Sequence, residues 1–339
     1  MSIEKVAEKA GVSTSTVSRV INNHPRVAPE TARAVRAAMA ELAYTPSDRR
    51  PGPKPSSRQP EVRSIGFLML GTSNGNTNPG FFDLLRGISR GAGDRQHKLI
   101  FATTTELDQV PMQFRDQPLD GVLLHGRPPR GELKKFLSQT PTVWVMGNRE
   151  RPLHCDHVMP DALDVGEISA GYLADRGHRH VCFLNLDAGH WALAGYGQCF
   201  AGSAIRAGLK PVILERTRRE MPGTPSRFDP AVVADLAREV ANLPQAPTGI
   251  FIADAMQSAI VQPALTQAGI TIGQAGVDVI TCNNEEPFLL GLHPRPAVID
   301  IHIETIGYRG VERLMRRIEN RQEFGHVTVM IRPTLLTSE

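Results

Sequence analysis

Between Gly11 and Asn22 the sequence GVSTSTVSRVIN sets hydrogen-bonding and cationic side chains along one side of a short helix. Thr14, Ser15, Ser18, Arg19 and Asn22 offer hydroxyl, guanidinium and amide groups, and none is acidic. Val17, Val20 and Ile21 recur at three- and four-residue spacing, which gives the opposite side an apolar stripe. Gly11-Val12 reads as a tight turn, and Ser13 as an N-cap whose hydroxyl accepts a bond from a first-turn N–H. Arginine can pair bidentately with guanine, while Ser and Thr hydroxyls bond base edges less selectively. A helix with such a face, behind a glycine turn and a preceding helix, meets the requirements of major-groove reading. An ordinary amphipathic surface helix is the alternative.

Other chemistry is poorly supported. His154-Cys155-Asp156-His157 holds ligand-type residues, but contiguous positions point in alternating directions and rarely close one metal site, so an exposed loop is expected. His178-Arg179-His180 precedes a strand pattern and reads as structural or solvated. Gly195-x-Gly197 lacks the remaining glycine and the strand context of a dinucleotide fingerprint. There is no Ser nucleophile elbow and no P-loop. Cys155, Cys182, Cys199 and Cys282 are far apart, with no CxxC pair to suggest a zinc site or a disulfide scaffold. No enzyme activity, no cofactor and no metal are expected.

The elements that would position the polar helix are local. Ile3, Val6, Ala7 and Ala10 form the apolar face of a first helix. A third opens at Pro29, which suits a first turn because its missing N–H has no intrahelical partner there. It runs to about Leu42 with Ala32, Val35, Met39 and Leu42 as its buried stripe. Charge supports the same segment. Residues 1–63 hold 11 Lys and Arg against 6 Asp and Glu, whereas the remainder holds 27 against 29. The positive excess therefore accompanies the candidate reading helix, as phosphate contact requires.

With 339 residues the chain is long enough for two or three domains. Hydrophobic content of 41% and charged content of 22% are ordinary for globular protein. No N-terminal apolar leader and no run of ~18 apolar residues is present, so no membrane partner is expected and a reducing cytoplasm is the default. Residues 47–63, SDRRPGPKPSSRQPEVR, read as a Pro-rich cationic linker. A flexible tether is one reading. In the other, Arg49, Arg50 and Lys54 lie along a Pro-extended strip that enters a narrow A·T-rich minor groove.

From Val62 apolar runs alternate with helical patterns, which predicts parallel sheets. The first series is Ile65–Leu70, a helix from Phe81 to about Gly93, Lys98–Ala102, Gly121–Leu124 and Thr142–Met146. The second is Val181–Leu184, a helix around Phe200 to Ala207, Pro211–Leu214, Gly249–Ile252 and Val277–Ile280. The expected architecture is an all-α headpiece followed by two α/β lobes.

Residues 1–46 resemble the DNA-binding headpiece of the LacI/GalR family of bacterial transcriptional regulators. The likeness rests on Ile3, Val6-Ala7, Ala10-Gly11-Val12-Ser13, Thr16 through Asn22, Val27, Thr31 and Tyr44-x-Pro46. It implies base contacts from Thr14, Ser15 and Arg19, and phosphate contacts from Ser13, Thr16, Ser18, Asn22 and Arg26. The rest is similar to the family's effector-binding part, which has the fold of periplasmic sugar-binding proteins. Asn78-Pro79-x-Phe81-Phe82, Arg86-Gly87-Ile88, Asp120-Gly121-Val122, Gly177-His178 and Pro294 to Gly307 carry that likeness.

The resemblance implies a homodimer on pseudo-palindromic operator DNA. It also implies a ligand cleft between lobe 1 (about 64–160 and 296–320) and lobe 2 (about 161–295 and 321–339) of a 64–339 domain. On it, Ala297 to Ile303 returns to the first lobe and Val327 to Leu336 ends in the second. Loops after strands propose Asn78, Phe81, His125, Asn148 and Arg149 as cleft groups of one lobe. Asp161, His190, Trp191, Tyr196, Asp254 and Asn283 are proposed for the other. Aromatics with amides and carboxylates suit a sugar or nucleoside. Ala162, Tyr196 and Asn283-Asn284 depart from the family's usual polar groups. A repressor answering to a small molecule, a regulator with no effector, and a ligand-binding protein with an incidental basic arm all remain open here.

Overall fold

A computed structural model describes residues 2–21, 24, 27–44, 62–71, 79–146, 153–217, 228–273, 276–321 and 323–337. The chain divides into two compact units, Met1–Glu61 and Val62–Glu339.

In the first unit, α1 (Ile3–Ala10), α2 (Thr14–Ile21) and α3 (Pro29–Glu41) close around a small core. Val6, Ala7, Val17, Val20, Val35 and Ala38 are buried there, with Ile3, Ala10, Ile21, Ala32, Met39 and Leu42 packed at its edge. Gly11 ends α1 at φ +64°, a left-handed conformation that favours glycine. Its N–H and that of Val12 return to the carbonyls of the last turn. Lys9 and Glu41 form an exposed ion pair between α1 and α3.

The second unit runs β1 (Ser64–Leu70), α4 (Pro79–Gly93), β2 (Lys98–Thr104), α5 (Met112–Arg115), β3 (Gly121–Gly126), α6 (Gly131–Gln139), β4 (Thr142–Val145) and β5 (Asp156–Pro160). There follow α7 (Ala162–Asp175), β6 (His180–Asn185), α8 (Trp191–Arg206), β7 (Lys210–Glu215), α9 (Pro230–Ala241), β8 (Gly249–Ile252), α10 (Ala255–Gln267), β9 (Asp278–Cys282), α11 (Glu286–Leu289) and β10 (Ala297–Asp300). The chain finishes with α12 (Ile303–Glu319), β11 (Thr328–Ile331) and β12 (Thr334–Leu336). The strands form two six-stranded sheets, in the orders β11-β5-β4-β3-β1-β2 and β12-β10-β9-β8-β6-β7. Among the described residues every strand pair is parallel except β10 with β12.

Central strands are buried on both faces, which explains their continuous apolar runs. Helices α4 and α12 cover one face of the first sheet, where Leu84 and Ile88 meet Val311 and Leu314, and α5 and α6 cover the other through Phe114, Leu133 and Leu137. In the second lobe α7 and α8 lie on one face and α9 and α10 on the other. Helices α4 and α12 cross with backbones in contact. A Cβ on Gly87 would lie 1.9 Å from the Glu304 carbonyl oxygen, and one on Gly307 would lie 2.4 Å from that of Leu84.

Two strands lie in the lobe opposite to the one expected. Ala297–Asp300 pairs with β9 in the second sheet, and only afterwards does α12 return to the first lobe. Thr328–Ile331 pairs with β5 in the first sheet, leaving Thr334–Leu336 for the second. The chain thus passes between lobes near Asp161, His302 and Arg332. A short apolar run pairs with whichever edge its connection reaches, and the run itself does not specify that edge.

The segment 154–157 also corrects its expectation. Cys155, Asp156 and His157 are buried at the start of β5, and only His154 is exposed. Among the described residues no cluster of three metal-ligating side chains occurs. His178, before β6, bonds Thr248 Oγ1 at 2.9 Å and Asp278 Oδ2 at 2.9 Å, a structural role.

Candidate nucleic-acid interface and interlobe cleft

The polar face of α2 forms because its apolar stripe is satisfied elsewhere. Val17 and Val20 are buried against α1 and α3, which turns Thr14, Ser15, Ser18 and Arg19 outward. Ser13 Oγ accepts from the Thr16 N–H at 3.2 Å and lies 2.8 Å from Ser15 Oγ and 2.9 Å from Thr16 Oγ1. Ser13 and Thr16 therefore hold the helix start together. No acidic residue stands in the first turn of α2, so its N-terminal partial positive charge is unopposed there. Asn22 and Arg26, with the linker cations Arg49, Arg50 and Lys54, lie outside the described residues.

In the second unit the C-terminal ends of the parallel strands define the crevice where α/β folds bind ligands. On the first-lobe side His125, next to last in β3, is half-buried, its Nδ1 3.3 Å from the Val145 carbonyl oxygen. Burial lowers its pKa, and the charge of His190 in the second lobe acts in the same direction. Phe81 is half-buried in an aromatic cluster, its ring centroid 6.3 Å from that of Phe67 and 5.8 Å from that of Phe101. Asn78, Asn148 and Arg149 lie outside the described residues.

On the second-lobe side His190 caps α8 without a side-chain cap bond and is exposed, and Trp191 follows it half-buried. Tyr196, one turn further on, is buried, and this burial pushes its phenol pKa well up. It belongs to the hydrophobic core rather than to an open cleft wall. Two proposed carboxylates serve as helix caps. Asp161 Oδ1 accepts from the Leu163 N–H at 3.0 Å and the Asp164 N–H at 3.4 Å at the start of α7. Asp254 Oδ1 accepts from the Gln257 N–H at 2.7 Å at the start of α10. Asn283 adopts φ +69° after β9, and its Oδ1 is buried with no hydrogen-bond partner among the described residues.

Groups that the sequence reading did not single out complete this region. Gln257 Oε1 accepts from the Leu186 N–H at 2.7 Å, and its Nε2 donates to Asn185 Oδ1 at 3.2 Å. Asn185 Nδ2 donates to Glu215 Oε1 at 2.8 Å. Glu285 is 2% exposed, and its Oε1 accepts from the Gly80 N–H at 3.1 Å, across the lobes. A polar residue closing a buried strand was the available signal for Asn185, and one in the short loop beyond a buried strand for Glu285. The partner of each is set by distant chain.

A helix-turn-helix unit followed by a two-lobed sheet domain with a polar crevice defines a ligand-responsive DNA-binding protein by architecture. Residues 2–47 match the profile of bacterial regulatory proteins of the lacI family, and residues 170–337 match that of periplasmic binding protein-like domains. The chain thus carries a lacI-type DNA-binding headpiece and a periplasmic binding protein-like domain, and it is similar over nearly its whole length to repressors of that kind. It is 28% identical over 330 residues to the ribose operon repressor of Escherichia coli (strain K12), covering 93% of this chain and 92% of the relative. It is 26% identical over 350 residues to the HTH-type transcriptional repressor PurR of Pectobacterium carotovorum, covering 98% and 95%. Among solved structures, the transcriptional regulator CelR–cellobiose complex aligns with TM-score 0.63 at 20% identity over 99% of this chain and 98% of the other. The lac repressor dimer bound to operator aligns with TM-score 0.63 at 18% identity over 99% and 98%.

Proposed function

We propose that the protein is a homodimeric transcriptional repressor that binds operator DNA through α2 and answers to a small molecule in the interlobe cleft. The observation that carries this is the exposed, acid-free face of Thr14, Ser15, Ser18 and Arg19 over the buried Val17–Val20 stripe. Thr14, Ser15 and Arg19 read base edges, and Ser13, Thr16, Ser18, Asn22 and Arg26 hold phosphates. One short helix reaches few bases, so a second copy on a symmetric site supplies the remaining contacts. The linker cations Arg49, Arg50 and Lys54 add minor-groove contacts.

The effector is a sugar or nucleoside-like molecule. A relative's solved complex with cellobiose and the aromatic and amide groups at the crevice support that class. Its action is linkage: a ligand that favours one lobe arrangement shifts the population able to bind operator. No helix among the described residues is long and apolar enough to cross a membrane. A cytoplasmic site of action follows from the operator partner, and no catalytic role is assigned.

Gel retardation on the DNA upstream of the protein's own gene, repeated over a salt series, tests the reading. Sequence-dependent retention with a steep loss of affinity as salt rises is expected. Failure to select any site from a genomic library overturns it. Thermal-shift titration with sugars and nucleosides then identifies the effector, whose influence on operator affinity is measured directly.

A further inference from the structure

The hydrogen bond between Glu285 and Gly80 joins residues 205 positions apart and spans the two lobes. Gly80 lies in the first turn of α4, in the first lobe, and Glu285 follows β9 in the second. Both are buried. Helix α4 has no acidic residue in its own first turn, so the positive end of that helix receives a carboxylate from the opposite lobe. The charge is desolvated there, and its bond to a helix N–H offsets part of the penalty. Parting the lobes would break that bond and return the carboxylate to water.

A ligand closes a two-lobed protein by contacting both lobes in the closed arrangement more favourably than in the open one. In this chain an internal side chain already makes such a contact. We propose that Glu285 is a built-in interlobe latch that biases the lobes towards closure before any small molecule binds. An effector entering the cleft then either fits beside the Glu285–Gly80 bond or displaces it. This rests on the assignment of the cleft as the regulatory site.

Hydrogen–deuterium exchange on the full chain without ligand tests the latch, read at the first turn of α4 in wild type, Glu285→Ala and Glu285→Gln. The Gly80 amide is expected to be protected in wild type. Glu285→Ala should speed its exchange about tenfold or more, as loss of a bond to a charged acceptor implies. The second half of α4 should keep its protection. Glu285→Gln keeps an acceptor oxygen without the charge and should fall between. Equal exchange at Gly80 in wild type and Glu285→Ala overturns the proposal. Should Glu285→Ala lose protection throughout both lobes, Glu285→Gln decides: faster exchange confined to the α4 start supports the latch, and none overturns it. Operator retention by the same wild-type preparation is scored separately, so its loss counts against the regulatory reading and leaves the latch result standing.

Discussion

The Asp156 carboxylate accepts a hydrogen bond from Arg317 Nε at 2.9 Å, and the two residues are 161 positions apart. Arg313 Nε donates to the same carboxylate at 2.6 Å and the Val327 N–H donates at 2.9 Å. Arg313 also bonds Glu323 Oε2 at 2.6 Å, and Arg317 donates to the carbonyl oxygens of Glu323 and Gly325. One buried carboxylate thus ties the end of α12 and the approach to β11 onto β5. This is the region where the chain, having returned from the second lobe, completes the edge of the first sheet.

Asp156→Asn should destabilise the first lobe strongly. Removing the charge leaves Arg317, 11% exposed at its side chain, without a carboxylate partner, and leaves Arg313, 6% exposed, with Glu323 alone. Breaking a buried pair in this way costs about 3–5 kcal/mol. Urea unfolding of wild type and variant, followed by circular dichroism, measures the difference. A shift below about 1 kcal/mol would place this network with ordinary surface pairs.

Acid should unfold the second lobe through Asp278. Burial raises the pKa of this carboxyl, but the bonds from Arg176 and His178 outweigh it and leave the value below the ordinary one. A depressed carboxylate contributes stability that is present above its unfolded pKa and lost as pH falls through its folded pKa. The contribution is therefore complete at neutral pH and declines below about pH 4. Asp278→Asn should flatten that limb of the stability–pH curve, as read from urea midpoints between neutral and acid buffers. An unchanged acid limb contradicts this assignment.

Two glycine substitutions should differ in sign. In Gly87→Ala the new Cβ meets the Glu304 carbonyl oxygen at 1.9 Å, so α4 and α12 must separate. Overpacking of this kind costs about 1–3 kcal/mol, and backbone on both sides favours the upper end. A Cβ on Gly195 meets nothing within 4 Å on α8. Gly195→Ala should therefore stabilise by about 0.5–1 kcal/mol through helix propensity. Melting temperatures of both variants check the contrast.

Within the headpiece, Arg19→Ala should weaken operator binding by about 1–3 kcal/mol and relax preference at one base position, leaving the fold intact. Ser13→Ala removes the bond to the Thr16 N–H and should cost about 1 kcal/mol of headpiece stability. Titration of operator DNA alongside thermal unfolding separates the two effects. An Arg19→Ala variant with unchanged affinity and base preference would remove that residue from the reading surface.

How much of the site was legible depended on the range of the interactions. The turn at Gly11, the cap at Ser13 and the Val17–Val20 stripe could be read in order because each is set within a few residues of chain. Sheet membership of Ala297–Asp300 and Thr328–Ile331 could not, since both are short strands placed by connections from distant elements. Cys155-Asp156-His157 looked like exposed loop because its polarity was visible and its compensation was not. The arginines that make burial tolerable stand on α12, at the other end of the chain.

The sequence by itself determined a basic helix-turn-helix headpiece and a two-lobed α/β body, because cap, stripe and apolar run are local or periodic. Tertiary structure alone decided which carboxylates stay available in the cleft. Asp161 and Asp254 are turned into helix caps, and Glu285, unremarked in the chain, reaches the start of α4 in the other lobe. A carboxylate's chemistry is fixed by its covalent structure, whereas its function depends on which donors folding brings within about 3 Å.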